Sequence, residues 1–188
     1  MSQKNTELGT EIDPYDRLEQ HFPRMFSRSR DVWVDEGWLD IVQALCVNIQ
    51  HYVDWKRSSR ARDLMRRRAA KKGHAALVKW MTTHRNFDAP TDWLVQQCHD
   101  IIALGAENLV ITPKVNHVYV AQIKEKFGEL RFYYDGGDEY VGGLVSMAET
   151  WASHTCEVCG SSGTLRHGGW MRTLCDKHEA ERQERNKY

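Results

Sequence analysis

Only five of the 188 residues are cysteine, and acidic and basic residues cancel at 26 each. No stretch of 18 apolar residues occurs, so no helix long and apolar enough to span a membrane is expected. The opening residues, MSQKNTELGTEID, lack the apolar centre of a signal peptide and read as a disordered tail over 1–13. Without a secretion signal the expected compartment is reducing, where cysteine pairs serve metals rather than disulfides. No serine nucleophile elbow, phosphate loop or HExxH helix is present, and no internal repeat. A net charge of zero names no partner.

What is present supports a real core. Apolar residues make up 41% of the chain, with seven tryptophans. A chain of this length buries roughly 70% of its unfolded surface, enough for one domain or a domain with an appendage. A short helix is expected around Asp16–His21. From Trp38 the residues Val42, Leu45, Ile49 and Val53 step at helical intervals, with Ile41 and Cys46 alongside. Cys46 on that stripe reads as a reduced core residue.

Charge is unevenly placed. Lys56, Arg57, Arg60, Arg62, Arg66, Arg67, Arg68, Lys71 and Lys72 face a single acid, Asp63, within one helix-favouring stretch that Gly73 ends. Further helices are expected over Ala75–Met81 and after Thr91, the N-cap of DWLVQQCHDIIAL, with Gly105 closing it. Trp93, Leu94, Cys98 and Ile101 are expected on its buried side, and NFDAP reads as a turn.

Beyond residue 117 the period becomes two. Tyr119, Ala121, Ile123 and Phe127 fall on one face, and Val118, Val120, Gln122, Lys124 and Lys126 on the other. Leu130, Phe132 and Tyr134 then alternate with Glu129, Arg131 and Tyr133. A hairpin turning at KFGE follows, with a third strand expected near Leu109–Thr112. Asp138 is placed to cap a helix with Tyr140, Leu144, Ala148 and Trp151 along one face.

Three of the five cysteines crowd into CEVCGSSGTLRHGGWMRTLCDKH. Cys156 and Cys159 are separated by two residues, as are Cys175 and His178. Each tight spacer lets both ends reach one tetrahedral ion, and Gly160 permits the first turn; thiolate and imidazole suit Zn²⁺. A knuckle, two short strands and a ligand-bearing helix make a treble clef. Four protein ligands leave no open position, so the zinc is expected to be structural. Its binding energy, roughly 10–16 kcal/mol in small zinc modules, would replace a core limited to Trp170, Leu165 and Leu174.

Three stretches, DEGWLDIVQALCVNIQHYV, QIKEKFGELRFYYDGGDEYVGGLVSMAE and the CEVCG…TLCDKH cluster, together resemble small zinc-knuckle proteins of tailed bacteriophages and prophages. The resemblance covers about the last 70 residues and the helix at 38–53. It implies a phage origin and expression in the cytoplasm of an infected bacterial host, and it implies no activity. Against those shorter proteins, the segment at about 55–109 reads as an insertion.

The sequence therefore predicts an α+β protein with a helical N-terminal half, a small antiparallel sheet and a C-terminal treble-clef zinc module. Residues 14–153 form the body and 154–188 the Cys3His module. The hairpin's Lys124, Lys126, Arg131 and Tyr133 are candidates to hold a phosphate or nucleotide. The basic block is a candidate for nucleic acid or an acidic partner. The expected function is non-catalytic binding of a host component, a defence protein or a nucleotide signal. The alternative is nucleic-acid binding through 56–72. A metal-dependent nuclease stands third, because the ligand helix carries no further histidine and the module's hairpin only His167. No membrane partner and no oligomeric state are specified.

Overall fold

The computed structural model describes residues 13–85 and 88–185. The tail expected at 1–13 lies outside the described residues except for Asp13, as do Asn86 and Phe87 of the NFDAP turn. In chain order the elements are α1 (Pro14–His21), β1 (Val32–Trp33), α2 (Glu36–Lys71), α3 (His74–His84), α4 (Asp92–Leu104), a 3-10 turn (Ala106–Asn108), β2 (Asn116–Lys126), β3 (Glu129–Gly137), α5 (Glu139–Ala152), β4 (Thr164–Arg166), β5 (Arg172–Leu174) and α6 (Asp176–Arg185). The fold is α+β, with helices dominating the first half and small sheets the second. Two compact units divide it: residues up to His51 with those from Asn116 onward, and Tyr52–Val115.

In the first unit, α2 supplies residues 36–51. Trp38, Val42, Leu45, Cys46 and Ile49 are buried along it, as the helical period requires. The two stretches read separately in the sequence, the apolar stripe and the basic block, belong to one 36-residue helix. The hairpin turns at Phe127 and Gly128, whose φ values of 58° and 77° suit the type I′ geometry that matches strand twist.

The faces of β2 depart from strict alternation. Val120 pairs with Tyr134 but Gln122 with Tyr133, so Ala121 is an extra residue, a bulge. Val118 and Val120 are buried before it and Ile123 after it. One bulge thus moves both valines off the face of Gln122 and Lys124, where simple alternation puts them. The third strand is β1, parallel to β2 through Val32↔Ile123 and Trp33↔Lys124; Leu109–Thr112 forms no strand. A two-residue strand carries no readable period.

Asp138 caps α5 as expected, its carboxylate accepting from the Val141 amide at 3.4 Å. The buried stripe is Val141, Val145, Ala148 and Ala152. Tyr140 and Trp151 are exposed, so the buried face is rotated by one residue, about 100°, from the expected one.

The second unit has its own core of Ala69, Ala70, Leu77, Met81, Leu94, Cys98 and Leu109. Thr91 caps α4, its hydroxyl accepting from the Leu94 amide at 3.2 Å. Leu94 and Cys98 are buried while Trp93 is exposed, since it lies one helical step off the inward line.

Candidate metal centre and adjoining cleft

The candidate metal centre is assembled from three local structures. Cys156 and Cys159 lie on the knuckle, where Gly160 donates to the Cys156 carbonyl at 2.9 Å with φ 75°, a conformation suited to glycine. Cys175 follows β5, and His178 falls in the first turn of α6. Their donor atoms all lie within 4.8 Å of one another. The Cys156 and Cys175 sulfurs are 3.4 and 3.3 Å from His178 Nδ1, and the Cys159 and Cys175 sulfurs 3.9 Å apart. His178 Nε2 points toward Glu181 at 3.9 Å, an outer carboxylate of the sort that orients a ligating ring. His154 and His167, which lie near these residues in the sequence, are not among the four.

Hydrogen bonds from the Ser161 hydroxyl and amide hold the Cys159 thiol down to about 6, into the range where thiolate dominates at neutral pH. Burial pushes Cys156 the other way, against backbone amides that favour its thiolate.

The knuckle is bolted to the body. Gly37 donates to the Glu157 carbonyl at 2.8 Å, and the buried Trp38 indole to the Thr155 carbonyl at 2.8 Å. A Cβ on Gly37 would lie 2.2 Å from the Cys156 carbonyl oxygen, so only glycine allows this approach. On the hairpin side, the Thr173 hydroxyl donates to the Gly128 carbonyl at 2.6 Å. Trp170 and Leu165, expected as module core, are 68% and 38% exposed; of the three only Leu174 is buried.

Exposed Trp170 belongs instead to a cleft of about 660 Å³ that Trp33, Glu157, Arg172, Arg182 and Arg185 also line. Arg182 makes a bidentate pair with Glu179 at 2.8 and 3.0 Å and donates to the Trp170 carbonyl at 2.8 Å. It thereby fastens the 167–170 loop to α6. Arg172 bridges Glu157 and Asp35, reaching the latter at 2.5 Å. Burial raises the Glu157 carboxyl above its ordinary value, with Arg172 pulling against it. Glu157 Oε2 is buried without a hydrogen-bond partner among the described residues. Trp33 is 69% exposed, so both indoles offer open ring faces. Sequence reasoning missed this cleft because its walls come from 33–35, 125, 157 and 168–185, which no local pattern connects.

Of the hairpin candidates, Lys124, Arg131 and Tyr133 share a face, with Lys124 opposite Arg131 and Gln122 opposite Tyr133. Lys124 Nζ lies 5.4 Å from the Tyr133 ring centre. Lys126 sits opposite Glu129. Arg131 is paired along its own strand with Glu129, while Glu125 accepts from the Gly128 amide at 2.5 Å.

The nine cations of the basic block split. Arg57, Arg60 and Arg67 donate to carbonyls of Val115, Thr112, Ala106 and Glu107; they tie α2 to the 106–115 segment of the second unit. Lys56 Nζ lies over Tyr52 and Trp55, at 5.6 and 5.7 Å. Arg62 reaches Ser59 at 3.2 Å, and Arg66 pairs with Asp63 at 3.5 Å. Arg68, Lys71 and Lys72 are exposed.

No family model, curated protein or solved structure matches the chain.

Proposed function

We propose that this is a non-catalytic binding protein whose C-terminal module is shaped by a structural Zn²⁺ and presents a cleft for a nucleotide-class small molecule. Zinc bonds of about 2.3 Å to sulfur and 2.0–2.1 Å to nitrogen require tetrahedral edges of roughly 3.8 Å between sulfurs and 3.6 Å from sulfur to nitrogen. The 3.9, 3.4 and 3.3 Å separations of the four residues fit that frame. With three thiolates and an imidazole filling every position, the ion would have no exchangeable site, so the role assigned to it is shape.

The observation that carries the ligand assignment is Glu157 Oε2, a buried acceptor with no donor among the described residues. Buried polar atoms find partners, so the cleft asks for an N–H or O–H. Two exposed indoles on the same walls favour a flat ring, and Arg185, which has no partner among the described residues, suits a phosphate. A nucleotide combines all three features. In the setting that the phage resemblance implies, it would be a nucleotide signal of the infected host, captured rather than turned over.

Calorimetric titration of the zinc-loaded protein with the mononucleotides of guanine, adenine, cytosine and uracil tests this. At least one should bind, and Trp170→Ala should weaken it more than tenfold while leaving the thermal midpoint unchanged. Absence of heat with all four, or unchanged affinity in Trp170→Ala and Trp33→Ala, would remove the reading.

A further inference from the structure

Within the second unit, α2 and α3 form a half-open cavity of about 320 Å³ lined by Arg62, Asp63, Arg66, Trp80, His84 and Arg85, with the buried Met81. Two N–H donors there, Arg66 Nε and Trp80 Nε1, are buried and have no acceptor among the described residues. Buried N–H groups without partners are rare in folded proteins. Here two of them, from different helices, line the same small space.

Positive charge predominates around that space. Arg62, Arg66 and Arg85 are cationic, and the His84 ring is stacked on Trp80 at 4.3 Å. Asp63 is the one acid on the wall, and both its oxygens are engaged. One accepts from the Thr112 amide and hydroxyl at 2.9 and 2.6 Å, the other from Arg66 at 3.5 Å. A cavity this size exceeds what one water fills, about 30 Å³, and it presents donors rather than acceptors.

The cationic surface continues past the Trp80–His84 stack. A second cavity of about 600 Å³ shares those two rings and adds Arg68, Lys72 and Lys79. From Arg62 to Lys71 along α2 is about 14 Å at 1.5 Å per residue, longer than one phosphate group, so the two cavities together have room for neighbouring phosphates of one strand. A single phosphate would satisfy the first cavity alone; a strand suits both.

We propose that this α2–α3 groove is a phosphodiester-binding site, in which one phosphate accepts from Arg66 Nε and Trp80 Nε1 and its neighbours meet Arg68, Lys72 and Lys79. The occupant is a single nucleic-acid strand. The site is independent of the cleft beside the metal centre. It also redistributes the basic block: Arg57, Arg60 and Arg67 hold the fold, whereas Arg62, Arg66, Arg68 and Lys72 meet the ligand together with Lys79, Trp80 and His84 of α3 and Arg85 just beyond it.

The test is fluorescence polarisation of a labelled 15-nucleotide single-stranded DNA with the full chain at several salt concentrations. Arg66→Gln should weaken binding about tenfold and lower the salt slope by about one. Trp80→Phe, which keeps the ring and removes the N–H, should cost several-fold; Lys177→Gln, on α6, should cost nothing. Inorganic phosphate should shift the Trp80 indole ¹H–¹⁵N resonance, identified by its loss in Trp80→Phe, more than chloride at equal ionic strength does. A shift with phosphate but no DNA binding would leave an anion pocket and overturn the strand. Equal losses in Arg66→Gln and Lys177→Gln, or no phosphate-specific shift, would overturn the site.

Discussion

Gly37 shows how much of this structure hangs on one missing methyl group. The start of α2 and the knuckle backbone approach so closely that a Cβ would overlap the Cys156 and Glu157 carbonyl groups. Gly37→Ala is expected to destabilise the protein by about 2 kcal/mol, through a backbone clash that no rotamer relieves; denaturant unfolding measures it. The knuckle's ligand set is legible in the sequence because a two-residue spacer is a local chemical constraint. The glycine's role is not, because the backbone that fills its space lies some 120 positions further along. Trp170 illustrates the same limit from the other side. A tryptophan in a small module reads as core, yet Arg182 holds its carbonyl on a loop that leaves the ring in water.

At the scale of elements, caps and apolar stripes were readable: Asp138 and Thr91 cap helices as the sequence indicates, and Gly73 and Gly105 end them. Two features escaped. The bulge at Ala121 flips the inward face of β2 midway, and a period count cannot see a phase shift of one residue. The buried side of α5 is turned from the side that Tyr140 and Trp151 mark, because those large rings are exposed while the smaller Val141, Val145 and Ala152 pack inward. The basic helix segment 52–71 carries an element-scale prediction. Burial alone would raise the Asp63 carboxyl, but bonds from the Thr112 hydroxyl and amide and the charges of Arg66 and Arg62 outweigh it and hold it below its ordinary range. A carboxyl depressed in the folded state stabilises fully above its unfolded value, about 3.9, and loses that contribution as pH falls through the folded value. Helical signal should therefore fall below about pH 4 with a pH dependence that is shallower in Asp63→Asn. At neutral pH that variant should be about 2 kcal/mol less stable, the scale of a hydrogen bond to a charged group.

At the scale of the molecule, a neutral total conceals an uneven distribution of charge. Outside 56–72 the chain holds 17 basic residues against 25 acidic, so cations are concentrated where α2 and α3 form a groove. The two units also differ in how they bury apolar residues. The second has an apolar core of its own, whereas the C-terminal module of the first buries little beyond Leu174, Thr173, Glu157, Cys156 and Thr155. Elemental analysis is expected to give one zinc per chain. Chelation should speed hydrogen exchange across 154–180 and leave 74–104 protected, read by mass spectrometry of the same sample. A zinc-free protein with full protection at 154–180 would contradict both. The anchoring of Trp38 reaches further than stability. Its indole N–H donates to the Thr155 carbonyl, so a nascent chain has no acceptor for it until the ribosome has passed residue 155. Residues 52–115 contain their own partners and are free to fold while translation continues. The part made first is finished last.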